Sequence, residues 1–140
     1  MITECVRMLK FDAGHRVVNH ESKCRTLHGH EYRAEIFARA KELDHLGRVI
    51  DFSVIKSKIG SWIEENWDHN MIIWSEDPNL PLLQQCDGAK KPFVTEFNTT
   101  AENLAAYLLK KANELLASDG VTITKIKLWE TQNSYVEVTL

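Results

Sequence analysis

The amino-acid sequence predicts an α+β fold, an antiparallel sheet of four strands with two helices inserted between the second and third. Three observations predict it. A clean alternation of apolar and polar residues runs through 30–40, and two stretches after it carry apolar residues at helical spacing. Two more alternating runs close the chain as a hairpin. At 140 residues the chain has room for about one domain, so residues 1–140 are expected to form a single unit.

Residues 2–13 read as the first strand, with imperfect alternation. In the second, Tyr32, Ala34, Ile36 and Ala38 share one face, and Arg33, Glu35 and Arg39 take the other. After a turn at Leu46-Gly47, the residues Phe52, Ile55, Ile59 and Trp62 step by threes and fours onto one stripe, with Asp51 as the N-cap. A second helix is expected from Thr99, where Thr99-Thr100-Ala101-Glu102 fits a capping box. Leu104, Tyr107, Leu108 and Leu115 form its buried stripe, and Gly120 stops it. Thr124, Ile126 and Leu128 then face opposite to Lys125 and Lys127. Val136, Val138 and Leu140 alternate with Glu137 and Thr139, joined to the preceding run by a short polar turn. The stretches at about 14–29 and 67–98 carry no convincing element, and loops of that length are usually functional.

Apolar residues at 44% and charged residues at 26% exclude a disordered chain. No apolar run approaches the ~18 residues that span a bilayer, so no membrane partner is expected. A net charge of −3 without a basic block argues against a nucleic-acid partner. No signal peptide is visible, and Cys5, Cys24 and Cys86 are odd in number and widely spaced. A reducing cytoplasm is the expected compartment.

The chemistry concentrates in Cys24-Arg25-Thr26-Leu27-His28-Gly29-His30. Histidines at i and i+2 of an extended backbone point to one side, so His28 and His30 can reach one metal ion. Pairing of the first two strands would bring His15 beside them. Three imidazoles around zinc leave a fourth position open, the pattern of a catalytic site. The alternatives are a surface turn, or a closed structural site with Cys24 as fourth ligand. Lys23 and Arg25 flank Cys24 and favour a thiolate able to act as nucleophile or base. Asp68-His69 suits a proton relay, although adjacent side chains on an extended segment point apart, which makes a direct pair unexpected. A carboxylate at Glu130, on the tip of the last hairpin, can accept two parallel N–H bonds from a guanidine-like edge. His20 and His45 read as surface residues.

Taken together, these residues resemble the family of 6-pyruvoyl-tetrahydropterin synthases and 6-carboxytetrahydropterin synthases. The matching stretches are Phe11 to Arg16, Cys24 to His30, Gly47 to Phe52, Asp68-His69, Thr99 to Asn103 and Trp129 to Thr131, in the family's order and over almost the whole chain. The resemblance implies the tunnelling fold, in which subunits form trimeric barrels that stack as homo-hexamers. It implies zinc held by His15, His28 and His30. Cys24, Asp68 and His69 would be the catalytic trio, assembled across a subunit boundary, and Glu130 would anchor the pterin with help from Thr99 and Thr100. The three-residue gap between Cys24 and His28 is similar to that of bacterial 6-carboxytetrahydropterin synthases in queuosine biosynthesis. The implied reaction converts 7,8-dihydroneopterin triphosphate to 6-carboxytetrahydropterin, acetaldehyde and triphosphate. The alternatives are a pyruvoyl-forming lyase that stops before carbon–carbon cleavage, a non-catalytic zinc module and a simple zinc hydrolase. Lys10, Arg16, Lys23 and Arg25 are candidates to meet the triphosphate.

Overall fold

The computed structural model describes residues 1–88 and 90–140; residue 89, inside the long loop expected at 67–98, lies outside them. Alternation sets the central pair. β1 (Glu4–His15) and β2 (His28–Ala40) run antiparallel from Glu4 opposite Arg39 to His15 opposite His28. Tyr32, Ala34, Ile36 and Ala38 are all buried, and Phe11 stacks on Tyr32 at 5.0 Å across the pair. β5 (Val121–Trp129) and β6 (Tyr135–Thr139) extend the sheet on the β2 side as the expected hairpin.

Two features of this sheet depart from expectation. Among the described residues its order is β4-β3-β1-β2-β5-β6, a mixed sheet of six strands rather than an antiparallel one of four. The additions, β3 (Asn70–Trp74) and β4 (Phe93–Thr95), come from the stretch read as structureless, and each pairs in parallel with its neighbour. β3 carries a continuous apolar run in which both Ile72 and Ile73 are buried. A strand covered on both faces leaves no alternation to read. The second departure is a bulge. Phe37 pairs with Lys125 but Ala38 with Ile123, so Thr124 has no partner opposite it and Ile123, not Thr124, joins Ile126 and Leu128 in the core.

The first helical rod consists of α1 (Phe52–Ile55), a π-helical turn (Lys56–Gly60) and α2 (Ser61–Asn66). Asp51 caps it through Ser53 N–H, as expected. The buried stripe is Ile55, Ile59 and Ile63, whereas Phe52 is 49% exposed. Two four-residue steps drift around a helix of about 3.6 residues per turn, and the wider π turn takes up that drift. α3 (Leu80–Gln85) is a short surface helix. α4 (Ala101–Leu115) starts one residue later than the capping box placed it. Thr100 is the N-cap, its hydroxyl accepting from Asn103 N–H, and the buried stripe includes Leu104, Ala105, Leu108 and Ala112. Both rods pack on one face of the sheet. Trp67, fully buried at the end of α2, packs against Phe11, Trp62 and Phe93 and so fixes where the following residues emerge. No helix among the described residues is long and apolar enough to cross a membrane.

Two strand edges of the sheet are open. β1 meets β3 only at Ala13 and Gly14, so most of that edge has no strand partner among the described residues, and neither has the outer edge of β6.

Past the end of β1, Arg16 forms a bidentate pair with Asp77, Nε to Oδ2 at 2.7 Å and Nη2 to Oδ1 at 2.8 Å. The Asp77 side chain is 1% exposed and that of Arg16 16%. Burial alone would raise the Asp77 carboxyl, but the Arg16 guanidinium and the Asn79 N–H overcome it and hold it below the usual carboxylate range. A carboxyl lowered on folding stabilises the fold above its unfolded value of about 3.9, and that contribution is lost as pH falls below it. Asp77→Asn leaves a buried guanidinium without its charge partner and is expected to destabilise by about 3–5 kcal/mol at neutral pH. Denaturant titrations of both proteins should show this gap close as the pH is taken below about 4. An equal stability at pH 7 would contradict the assignment.

Candidate metal centre and active site

The β1–β2 register delivers the three histidines. His15 ends β1, His28 starts β2 directly opposite, and His30 follows on the same face. Gly29 lies opposite Gly14, and a side chain on Gly29 would bring its Cβ to 3.2 Å from the Ala13 carbonyl oxygen, so the strands approach closely here. The three ligand atoms lie within 4.8 Å of one another.

Hydrogen bonds fix which nitrogen faces inward. His15 Nδ1 sits 2.7 Å from the Thr99 carbonyl, and His28 Nδ1 sits 2.6 Å from the Thr26 carbonyl. A carbonyl only accepts, so Nδ1 carries the proton in both rings and Nε2 presents a lone pair. His15 is 1% exposed, and its Nε2 is a buried atom with no hydrogen-bond partner among the described residues. His28 Nε2 lies 3.0 Å from His30 Nε2, a separation that a shared proton or a shared cation satisfies. Burial pushes the His15 imidazole down to about 4, reinforced by His28 and His30, and burial lowers His30 as well. Neutral imidazoles are the ligating form. The donor set therefore fits a metal ion that accepts nitrogen ligands.

Facing this cluster is Glu130, whose Oε2 lies 3.9 Å from His15 Nε2 and Oε1 3.9 Å from His30 Nε2. Burial pushes its carboxyl above the usual range, against an opposing pull from His28. Glu130 also lines a cleft of about 290 Å³ with Cys24, His20, Thr100, Glu102 and Tyr135. Cys24, half-buried on a 3₁₀ turn (Lys23–Arg25), lies outside the His15–His28–His30 cluster of ligating atoms. Thr99 is fully buried, with its hydroxyl donating to the Arg16 carbonyl and its own carbonyl holding His15. It therefore braces the metal cluster instead of facing the cleft. Arg16 is committed to Asp77 and is unavailable to a phosphate. Lys10, Lys23 and Arg25 have no ion-pair partner among the described residues.

Asp68 and His69 do form a direct pair, contrary to expectation, with Nδ1 2.9 Å from Oδ2. The reason is the backbone. His69 has φ +53°, a left-handed conformation that turns adjacent side chains toward each other. Burial opposes ionisation of Asp68, but the Asp12 N–H and His69 hold its carboxyl below the usual range. His69 lines a second cavity of about 710 Å³ with Asp12, His30, Cys86 and Lys90. That cavity and the Cys24 cleft share no lining residue, although His30 of the one lies 3.9 Å from Glu130 of the other. No motif or spacing marks Cys86 and Lys90 as lining the His69 cavity.

Comparisons with known proteins place the chain in a family. The family model for 6-pyruvoyl tetrahydropterin synthase matches residues 4–140. The chain belongs to that family. A protein from Rickettsia conorii named 6-carboxy-5,6,7,8-tetrahydropterin synthase is 42% identical over 137 residues, covering 96% of this chain and 99% of the relative. The family fold is seen in two solved structures. One, of an uncharacterized protein from Wolinella succinogenes, has TM-score 0.87 and 23% identity over 99% of this chain and 98% of that one. The other, 6-pyruvoyl tetrahydropterin synthase from Caenorhabditis elegans, has TM-score 0.72 and 21% identity over 100% and 96%.

Each of His15→Ala, His28→Ala and His30→Ala is expected to lose most of a bound metal, where the unaltered chain holds about one ion. Metal analysis of the purified variants checks this, and a full complement in His28→Ala would remove the cluster from metal binding.

Proposed function

We propose that this chain is a zinc-dependent 6-carboxytetrahydropterin synthase. It is a lyase that takes 7,8-dihydroneopterin triphosphate and water to 6-carboxytetrahydropterin, acetaldehyde and triphosphate. The observation that carries the reading is the buried, unpartnered Nε2 of His15 converging with His28 and His30, in a chain 42% identical to a relative of that name. Held by His15, His28 and His30, zinc would supply a Lewis acid that lowers the pKa of the substrate's side-chain hydroxyls.

The chain's own residues do the rest. Glu130 accepts the adjacent N–H groups of the pterin edge, and Thr100 lines the same cleft. Cys24, in that cleft, takes and returns protons at the side-chain carbons. His69 is its acid–base partner, and Asp68 orients the imidazole through the 2.9 Å bond.

Cys24 and His69 would meet across a subunit boundary. β6 runs antiparallel to β1, so a partner's β6 can extend the sheet along the open edge of β1. That pairing carries the partner's β5–β6 turn, with the partner's Glu130 and nearby Cys24, to the end of β1 where Asp12 contacts Asp68 and His69. Repeated, it closes a barrel, and the reading includes a homo-hexamer of two stacked trimers. The three free thiols suit a cytoplasmic enzyme, and the product suits 7-deazaguanine (queuosine) biosynthesis.

The test is to incubate zinc-loaded protein with dihydroneopterin triphosphate and identify the products. Acetaldehyde and 6-carboxytetrahydropterin are expected, whereas a pyruvoyl product without acetaldehyde would return the enzyme to the other branch of the family. Cys24→Ala should keep its zinc and fold and lose roughly 10²–10⁴ in rate. Loss of zinc would instead make Cys24 a ligand.

Glu130 has a second reading, as a fourth metal ligand, which its 3.9 Å approach to two imidazoles favours. Glu130→Gln separates them. As the pterin anchor it should weaken pterin binding at least about tenfold with zinc unchanged, since one acceptor becomes a donor facing a donor. A loss of zinc with pterin binding intact would assign it to the metal.

A further inference from the structure

The Asp68–His69 pair depends on a backbone conformation that a histidine rarely adopts. A non-glycine residue at positive φ persists where its surroundings over-determine it. Here φ of His69 is +53°, and the peptide group joining Asp68 to His69 is held at both ends. Its N–H donates to the Asp12 carbonyl at 2.7 Å. Its C=O accepts from Lys90 Nζ at 2.6 Å. In a trans peptide these two groups point in opposite directions, so the two bonds together fix the rotation of the peptide plane. Lys90 Nζ also donates to the Glu64 carbonyl, one of the orphan acceptors at the end of α2. A cation is favoured at that helix end, where carbonyls converge without N–H partners.

We propose that Lys90 is a positioning residue for the acid–base pair. Its ammonium ties the end of α2 to the Asp68–His69 peptide and so holds His69 Nδ1 against Asp68 Oδ2. The inference rests on the activity proposed above. No other side chain among the described residues donates to the Asp68 carbonyl, and the bond from Asp12 alone leaves one end of the peptide free to turn. Freed at that end, His69 would relax toward negative φ and carry its ring away from Asp68. Asn70 does not substitute for Lys90, because its side-chain amide donates to the Asn66 and Lys91 carbonyls and braces the chain one step further on.

The test is Lys90→Met, close in length and without donors, beside Lys90→Arg, which keeps them. Zinc-loaded Lys90→Met is expected to lose roughly tenfold or more in kcat on dihydroneopterin triphosphate, with KM within about twofold, because misplacement of an acid–base group acts on the chemical step. Lys90→Arg should recover most of that loss. Amide exchange at His69 should speed up in Lys90→Met and not at core positions of β2. Wild-type kcat in folded Lys90→Met would overturn the proposal. So would a raised KM at unchanged kcat, which would make Lys90 a substrate contact. Should Lys90→Met melt below the assay temperature, Lys90→Gln takes its place with the same readouts. A wild-type protein without turnover would defeat the proposed activity, whereas unchanged exchange at His69 would defeat the clamp.

Discussion

The pairing of β1 with β2 is the constraint on which the three-histidine cluster depends. Side chains alternate along a strand, so a slip of one residue would turn His15 to the opposite face while His28 and His30 stayed in place. The register is held by the buried face that begins beside the histidines, where the Tyr32 ring lies 5.5 Å from that of His30. Phe11 stacks on Tyr32 two pairs below Ala13 and His30, and Leu9, Ala34 and Ile36 continue the buried face toward the other end. The core therefore aims the ligands. Thr99 completes the arrangement from a third direction, since the segment that caps α4 also supplies the carbonyl that fixes His15's tautomer.

Arg16 joins this frame to the Cys24 turn. Beyond its pair with Asp77 it donates to the Arg25 carbonyl at 3.0 Å, and the next residue, Val17, donates its N–H to the Cys24 carbonyl at 2.8 Å. The thiol's turn is thus anchored to the end of the strand that carries His15. The Asp68–His69 pair is anchored separately, through Trp67 in the aromatic core and through Asp12 on β1. Each group is thus held by hydrogen bonds within one chain, Cys24 in one cleft and His69 in another. A shared site between chains needs only that the open strand edges find each other.

Much of this was legible in the sequence, and the limits were physical. The strand at 30–40 and the closing hairpin show in their alternation because one face of each meets solvent. His28 and His30 declare themselves by spacing, and His15 needed only the hairpin. β3 was invisible because its apolar run is continuous, and β4 because three residues carry no period. Threonines at both 99 and 100 can cap a helix, and the glutamate that favours Thr99 makes no capping bond once Thr100 takes the role with Asn103 at N3. The sequence does not show that Thr99's carbonyl is required elsewhere. A direct pair of Asp68 with His69 is unexpected on an extended backbone, and the left-handed φ of His69 reverses that. Lys90 is one lysine among several until the fold brings it back across the end of α2.

The proposed activity requires a zinc centre of three imidazole nitrogens with no sulfur ligand. X-ray absorption at the zinc edge of the metal-loaded protein distinguishes the two kinds of ligand. Nitrogen or oxygen neighbours alone are expected, with imidazole at about 2.0–2.1 Å. A sulfur neighbour at about 2.3 Å would place Cys24 on the metal and contradict the catalytic reading.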